Sequence, residues 1–240
     1  MSGPARVRAL MFDVFGTCVD WRTSVSRQAA ELGRARGVEG VDWEAFADAW
    51  RARYQPQMQT VRTGARPWVD LDVLHRESLD EVVREFGVDD VFGPEDRDTL
   101  TRAWHRLDPW PDTASGLARL RTRFVVAPNS NGHIALIVAL SRHAGLTWDA
   151  VLGAQTAGAY KPQPQTYLRN AALLGCAPGE VMMVAAHNDD LVAARSCGLR
   201  PGFVARPTEH GPAQRTDLAA ADDWDAVAGD LMELAELLGA

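Results

Sequence analysis

A short apolar run that ends in a carboxylate constrains this chain more than any other stretch. Residues 7–12 are apolar apart from Arg8, they are too few for a typical helix, and Asp13 follows them directly. This pattern predicts a buried strand, and open α/β sheets carry their chemistry at the carboxyl ends of such strands. Gly16 then allows a sharp turn and a close approach of the backbone to a ligand. Asp13 is therefore either a candidate catalytic carboxylate or a residue that only ends the strand.

The second half of the chain alternates between helix-like segments and short apolar runs. From Thr113 onward, this alternation is typical of βα units around a parallel sheet. Further strands are predicted at residues 124–127, 150–152, 181–184 and 201–205, and a last helix is predicted at residues 226–238. The sequence therefore predicts an α/β fold.

Residues 19–105 interrupt this pattern, because their apolar residues recur at helical spacing and strands are scarce. Ser24 and Asp42 are predicted to cap the first two helices. The predicted helices run from Ser24 to Gly33 or Gly37, from Asp42 to just before Pro56, from Leu71 to Phe86, and from Asp96 to about Trp104. We expect a helical insertion after the first strand.

Composition limits the possible partners of the chain. Its 240 residues are 46% hydrophobic and carry a net charge of −7 with scattered Lys and Arg, which argues against nucleic-acid or anionic-membrane binding. The three cysteines and six histidines form no Cys-x-x-Cys or His-x-x-x-His pair, so no metal site is expected.

Residues 1–4 start no targeting segment, and no apolar run is long enough to span a bilayer, so we expect a cytoplasmic protein.

Five polar residues follow predicted strands at one edge of the sheet: Asp13, Ser130, Asn131, Lys161 and Asp190. The carboxyl ends of parallel strands share an edge, so these side chains are expected to meet there.

Each of these residues also has an ordinary structural interpretation. Ser130 and Asn131 cap the next helix, a position that also presents free N–H groups to an anion. Lys161 is either a loop lysine or the cation that orients Asp13. Asp189 or Asp190 caps the following helix, and the other is a candidate second carboxylate.

Three further residues are open to two interpretations. His187 is either a base or a hydrogen-bonded bystander. Arg51 is either a surface residue or a guanidinium that binds an anion beneath a helical lid. Trp50 beside it is either a core or interface residue, which is the commoner role, or a substrate contact.

The combined motifs resemble those of the haloacid dehalogenase superfamily, over nearly the whole chain. The residues that carry the resemblance are Asp13-Val-Phe-Gly-Thr17, Ser130-Asn131-Gly132, Lys161-Pro162 with Tyr167, and the Asp189-Asp190 loop. Together with Trp50-Arg51, they are most similar to the type II 2-haloacid dehalogenases. This resemblance implies a Rossmann-like core of residues 1–18 and 106–240, and a helical cap of residues 19–105.

The resemblance also implies a reaction. Asp13 attacks C2 of a short 2-haloalkanoate and forms an ester that water then hydrolyses, without metal or cofactor. The implied catalytic residues are Asp13, Thr17, Lys161, Asp190, which places the water, and His187, which shares that role. The implied substrate- and halide-binding residues are Arg51, Ser130, Asn131, Tyr167, Phe15 and Trp50. A homodimer is expected as well, since relatives commonly form one.

Differences from the superfamily bear on the alternatives. Phosphatases of the superfamily have an acid where this chain has Phe15, and a Gly-Asp where it has Ala185-Ala186, so magnesium-dependent phosphate or phosphonate hydrolysis is disfavoured. A catalytically silent ligand-binding relative is the other alternative. Studied type II enzymes have a Ser and an Asn at Ala185 and His187, an aromatic residue at Asp189 and a Leu at Asn129. These differences leave substrate size, halogen preference and the water-activating base open.

Overall fold

The structure of the protein is a computed structural model that describes residues 6–240. The first five residues, which belong to the predicted core, lie outside this range. The strands are β1 (Ala9–Phe12), β2 (Val19–Asp20), β3 (Asp108–Pro109), β4 (Val125–Ser130), β5 (Leu152–Gly153), β6 (Val181–Ala185), β7 (Arg200–Val204) and β8 (Ala226–Ala228). Six of them form a parallel sheet in the order β5-β4-β1-β6-β7-β8, so the predicted α/β class is confirmed.

Helices surround this sheet and also fill the stretch between β1 and β4. They are α1 (Trp21–Ala35), α2 (Trp43–Ala52), α3 (Tyr54–Arg62), α4 (Leu71–Glu85), α5 (Pro94–Thr101), α6 (Thr113–Leu120), α7 (Ile134–Ala144), α8 (Ala154–Ala157), α9 (Pro164–Leu173), α10 (Asn188–Ser196) and α11 (Leu231–Leu237). Within residues 6–240, no helix combines the length and apolar character needed to cross a membrane.

Strand β1 lies in the middle of the sheet, between β4 and β6. Leu10 and Phe12 pack into one hydrophobic core, and Ala9 and Met11 pack into a second. Alternate residues of a strand point to opposite faces, so a strand with helices on both faces must be apolar throughout. This double burial accounts for the apolar run that precedes Asp13.

The two cores identify the layers around the sheet. Helices α6, α7 and α11 contribute to the same core as Leu10 and Phe12. Helices α9 and α10 contribute to the core on the other face. The sheet is thus covered on both faces, and the carboxyl ends of its strands remain available for chemistry.

The predicted last helix, residues 226–238, is wrong in its first part. Ala226–Ala228 is strand β8, which pairs in parallel with β7 at the edge of the sheet. Gly229 separates it from α11, and Asp230 caps that helix by accepting a hydrogen bond from the Glu233 N–H at 2.8 Å. The apolar residues continue at helical spacing through the strand, so their spacing predicts a helix there.

Two predicted helix boundaries in the insertion also differ from the structure. Helix α1 begins at Trp21, capped by Asp20, while the Ser24 hydroxyl accepts a hydrogen bond from the Asp108 N–H at 2.8 Å. Pro56 does not end helical structure, because it lies in the first turn of α3, where a residue without an N–H loses no hydrogen bond. The predicted third helix is confirmed, with α4 spanning Leu71–Glu85.

A small antiparallel pair brings the two ends of the helical stretch together. Val19 pairs with Pro109, and Asp20 pairs with Asp108. Residues 21–105 therefore leave and rejoin the rest of the chain at one place, close to the end of β1. We refer to these residues as the helical segment.

Candidate active site

The Asp13 carboxylate lies at the end of the central strand and is surrounded by hydrogen-bond donors. Lys161 Nζ lies 2.7 Å from its Oδ1, and the Thr17 hydroxyl donates to its Oδ2 at 2.8 Å. Nδ1 of His187 lies 3.1 Å from the same Oδ2. Thr17 is itself fixed by the Ala186 N–H, which donates to its oxygen at 2.9 Å. Both carboxylate oxygens are therefore held in place. Asp13 is also almost fully buried, with only 6% of its surface exposed.

The charges around Asp13 keep it ionised. Burial raises the pKa of this carboxyl, but the adjacent Lys161 and His187 outweigh burial and hold the pKa well below its usual range. The pKa of Lys161 is raised, because the attraction of Asp13 and Asp190 outweighs its own burial. Asp13 is thus a carboxylate next to a permanent cation.

A second carboxylate secures that cation. Asp190 Oδ2 lies 2.5 Å from Lys161 Nζ, and its Oδ1 accepts a hydrogen bond from the Tyr167 hydroxyl at 2.6 Å. Burial raises the pKa of Asp190, Lys161 opposes this effect, and the negative charge of Asp13 adds to it. The Lys161 backbone N–H donates to Asn131 Oδ1 at 2.8 Å, which connects the lysine loop to the end of β4. Of the two neighbouring aspartates, it is Asp190 that faces Lys161.

Glu209, a fully buried carboxylate behind His187, belongs to the site although no sequence pattern predicts it. Its Oε2 lies 2.8 Å from His187 Nε2, and its Oε1 accepts a hydrogen bond from the Trp21 indole N–H at 2.9 Å. Glu209 is 1% exposed. It lies in an irregular loop after β7, so neither periodicity nor a motif singled it out.

The Glu209 and His187 charges depend on each other. Burial lowers the pKa of His187, but Glu209 and Asp13 raise it well above its usual value. Burial also raises the pKa of Glu209, and the attraction of His187 lowers it below the usual value. The two carboxylates therefore favour the protonated form of His187, whose Nδ1 faces Asp13 and whose Nε2 faces Glu209.

Gly16 makes this arrangement possible. Its φ of +86° lies in the left-handed region, and a Cβ at this position would lie 2.0 Å from Glu209 Oε1. Both the backbone conformation and the close approach of Glu209 therefore require glycine.

A cavity of about 830 Å³ opens in front of Asp13, between the strand ends and the helical segment. The predicted site residues that line it are Asp13, Phe15, Arg51, Asn131, Lys161, Tyr167, His187 and Asp190. Tyr54, Gln55 and Arg62 of the helical segment line it as well. The structure thus brings together residues that lie far apart in the sequence.

Arg51 supplies positive charge to the part of the cavity lining that the helical segment contributes. Its guanidinium lies over the Tyr54 ring, 4.1 Å from the centroid, and 5.5 Å from the centroid of Trp21. Its Nε is buried and has no hydrogen-bond partner among residues 6–240. A buried donor without a partner is costly, and an anion in the cavity would satisfy it.

Three predicted site residues do not line the cavity. Thr17 lies behind Asp13 and contacts it directly. The Ser130 hydroxyl is fully buried and accepts the Gly132 N–H at 3.0 Å. Trp50 packs edge-on against Trp104 inside the helical segment.

The comparisons with known proteins agree with this geometry. A family model for haloacid dehalogenase-like hydrolases matches residues 7–198. This chain belongs to that family. The resemblance stated from the sequence is therefore confirmed, and the fold shared by this hydrolase family is the predicted Rossmann-like core.

Individual members of the hydrolase family are similar to this chain over most of its length. The (S)-2-haloacid dehalogenase 4A of Burkholderia cepacia is 31% identical over 83% of this chain and 84% of its own length. A crystal structure of a defluorinating L-2-haloacid dehalogenase is 47% identical, covers 99% of this chain and 100% of its own, and superimposes with a TM-score of 0.95. The L-2-haloacid dehalogenase of Xanthobacter autotrophicus, solved with chloropropionic acid covalently bound, is 25% identical over 97% of this chain and 98% of its own, with a TM-score of 0.79.

Proposed function

We propose that this chain is a 2-haloacid dehalogenase that hydrolyses short 2-haloalkanoates to 2-hydroxy acids and halide through an ester of Asp13. One observation carries the proposal. The ionised Asp13 carboxylate lines the same cavity as Arg51, and Lys161 and His187 lie at its oxygens. The 2-haloacid dehalogenases among the relatives support the same reaction.

The first step is a substitution at carbon. An Asp13 oxygen attacks C2 of the substrate, a C–O bond forms, and the halide leaves with the electron pair of the carbon–halogen bond. Lys161 and Thr17 hold the carboxylate at a fixed angle to the cavity. Arg51 and Asn131 receive the halide, because the Arg51 Nε has no partner among the described residues and both side chains line the cavity.

The substrate carboxylate is bound near the end of β4. We assign this role to backbone N–H groups after Ser130, because the Ser130 hydroxyl is fully buried and faces Gly132. Phe15 and Tyr167 then provide walls of the cavity, and Trp50 acts only by supporting the helix that carries Arg51.

The second step is hydrolysis of the ester. Alkylation neutralises Asp13, which removes one of the two charges that raise the pKa of His187. His187 can then lose its Nδ1 proton to the solvent in the cavity, and this nitrogen takes a proton from the water that attacks the Asp13 carbonyl carbon. The bond between that carbon and the ester oxygen breaks, and the 2-hydroxy acid leaves with the proton held by His187. The new Asp13 carboxyl group then gives its remaining proton to His187, which restores the Asp13 carboxylate and the protonated ring. Glu209 keeps the ring oriented through Nε2.

Asp190 acts through Lys161 in this proposal. Its two oxygens are engaged by Lys161 and Tyr167. It therefore keeps the lysine ammonium beside Asp13, where the ammonium also stabilises the oxyanion of the tetrahedral intermediate.

The phosphatase alternative fits the site less well. Phe15 occupies the position of the phosphatase acid, is 2% exposed, and packs edge-on against Trp104 at 5.8 Å. A magnesium ion needs oxygen ligands, whereas Asp13 is flanked here by the cations Lys161 and His187. This donor set favours metal-free chemistry at carbon.

We also propose the domain roles expected from the resemblance. Residues 19–105 act as a cap that supplies Arg51, and residues 1–18 and 106–240 act as the catalytic core. The β2–β3 pair at the base of the helical segment supports this division. The expected homodimer stays a prediction.

A halide-release screen in the presence of EDTA tests the function. Fluoro-, chloro- and bromoacetate and 2-chloropropionate are offered to the wild-type protein and to Asp13→Asn. Release of halide by the wild type alone supports the proposal. Halide from none of the substrates, or full activity of Asp13→Asn, contradicts it.

A further inference from the structure

Three potential metal ligands meet between the helical segment and the sheet, away from Asp13. They are Asp72 on α4, His105 at the end of the 3-10 turn Arg102–His105, and His133 just before α7. One ligand atom from each residue lies within 4.8 Å of the others. None of the three lines the cavity described above.

We propose that Asp72, His105 and His133 bind a divalent transition-metal ion, with zinc as the best match, and that this ion fastens the helical segment to the loop after β4. Two imidazoles and one carboxylate form a ligand set that zinc accepts, with a fourth position left for water.

The distances suit a shared ion. Ligand atoms around zinc lie roughly 3 to 3.5 Å apart when the metal–ligand bonds are about 2.0–2.2 Å long. His105 Nε2 lies 2.9 Å from both Asp72 oxygens, and His133 Nε2 lies 3.7 Å from Asp72 Oδ2. The two histidine rings are 5.9 Å apart between centroids.

His133 offers a buried ligand nitrogen to this site. The residue is only 7% exposed. Its Nε2 faces Asp72 at a distance longer than a hydrogen bond. A buried imidazole that lacks a good hydrogen bond is unfavourable, whereas a metal bond through Nε2 would compensate for its burial.

The site is also accessible to an ion. The Asp72 side chain is 33% exposed and the His105 side chain is 15% exposed, while His133 forms the inner wall. An ion can therefore enter from solvent and still be held by a buried ligand.

The position of His133 connects this site with the cavity. His133 is two residues beyond Asn131, whose Oδ1 binds the Lys161 backbone N–H. Asp72 and His105 belong to the helical segment. A bound ion would hold this segment against the loop that carries Asn131, which lines the cavity. The proposal needs no change in the chemistry at Asp13.

The test is zinc binding by the full-length protein after EDTA treatment and buffer exchange. Isothermal titration calorimetry should give one ion per chain, and the unfolding temperature should rise with zinc. Asp72→Asn and His133→Asn should each weaken binding by more than about tenfold and abolish the rise in unfolding temperature.

Two control variants locate the ion. His143→Asn removes a histidine whose Nε2 lies 3.0 Å from Asp108, in a pair that lacks a third ligand among the described residues, so it should bind zinc like the wild type. Asp13→Asn should also bind normally, which separates this site from the catalytic one and from the proposed function. Binding that survives Asp72→Asn and His133→Asn, or that is lost in Asp13→Asn, overturns the proposal.

A spectroscopic measurement avoids dependence on the folding of the variants. Cobalt(II) should bind the wild-type protein with the visible absorption of an imidazole-ligated ion, and zinc should displace it. A spectrum that remains that of cobalt in buffer at stoichiometric concentrations contradicts the proposal.

Discussion

Glu209 Oε2 lies 2.8 Å from Nε2 of His187, and this contact joins a buried loop carboxylate to the ring that touches the candidate nucleophile. The Trp21 indole N–H fixes the other Glu209 oxygen. The helical segment therefore contributes to the site through Trp21 as well as through Arg51. His187 is oriented from behind, as a general base requires.

Glu209→Gln should slow the hydrolysis of the ester. The amide retains an acceptor for Trp21 but loses the charge that stabilises protonated His187, so kcat should fall by about a hundredfold, within the usual range for acid–base catalysis. Intact-mass spectrometry during turnover should show accumulated alkyl-enzyme. Glu44→Gln, on the exposed side of α2, should behave like the wild type. An unchanged kcat without accumulated ester would contradict a role of Glu209 in the hydrolysis of the ester.

Gly16→Ala should damage both stability and activity. Gly16 and Gly37 both have positive φ, but a Cβ at Gly37 meets no atom within 4 Å, whereas one at Gly16 collides with Glu209. Gly37→Ala should cost about 1 kcal/mol in the free energy of unfolding, with normal halide release. Gly16→Ala should cost more and lose most of its activity. Urea unfolding and halide release measure the two effects, and equal behaviour of the two variants would contradict the close approach of Glu209.

Arg51→Lys should weaken transition-state binding. The lysine keeps the charge but lacks the planar guanidinium that stacks on Tyr54, so kcat/KM should fall at least about tenfold, which corresponds to roughly 1.4 kcal/mol. Arg53→Lys is the matched control, since Arg53 lies just after the same helix and pairs with Glu81 and Glu85. Steady-state halide release measures both variants. Equal losses of activity in the two variants would contradict a specific role of the Arg51 guanidinium in transition-state binding.

The pH dependence of stability should report the charge on His187. Its pKa is raised in the folded protein, so its contribution to the unfolding free energy is complete below the unfolded value of about 6.5 and is lost as pH rises through the raised value. The wild type should therefore lose stability relative to His187→Gln as pH rises above about 6.5. Urea unfolding at several pH values measures this difference, and a difference that grows with pH would be inconsistent with an imidazolium.

Local pattern was enough to predict the parts of the site that follow strands. Asp13 ends a strand that is buried on both faces, and Lys161 and Asp190 lie in loops at the same sheet edge. Glu209 was not predictable, because it belongs to a long irregular loop and its partners lie far away in the sequence. The histidines are likewise dispersed along the sequence, although the fold brings His105 and His133 together. Ala226–Ala228 was assigned to a helix because a short edge strand leaves little pattern of its own.

The fate of the oxygen atom of the attacking water tests the central claim most directly. Excess protein is allowed one turnover of 2-chloropropionate in water labelled with the heavy oxygen isotope, and the peptide that contains Asp13 and the lactate are then weighed by mass spectrometry. If Asp13 forms an ester that water cleaves at the carboxyl carbon, the label appears in the Asp13 peptide and the lactate stays unlabelled. Label in the lactate and none in the peptide would mean that water displaces the halide directly, and would contradict Asp13 as the nucleophile.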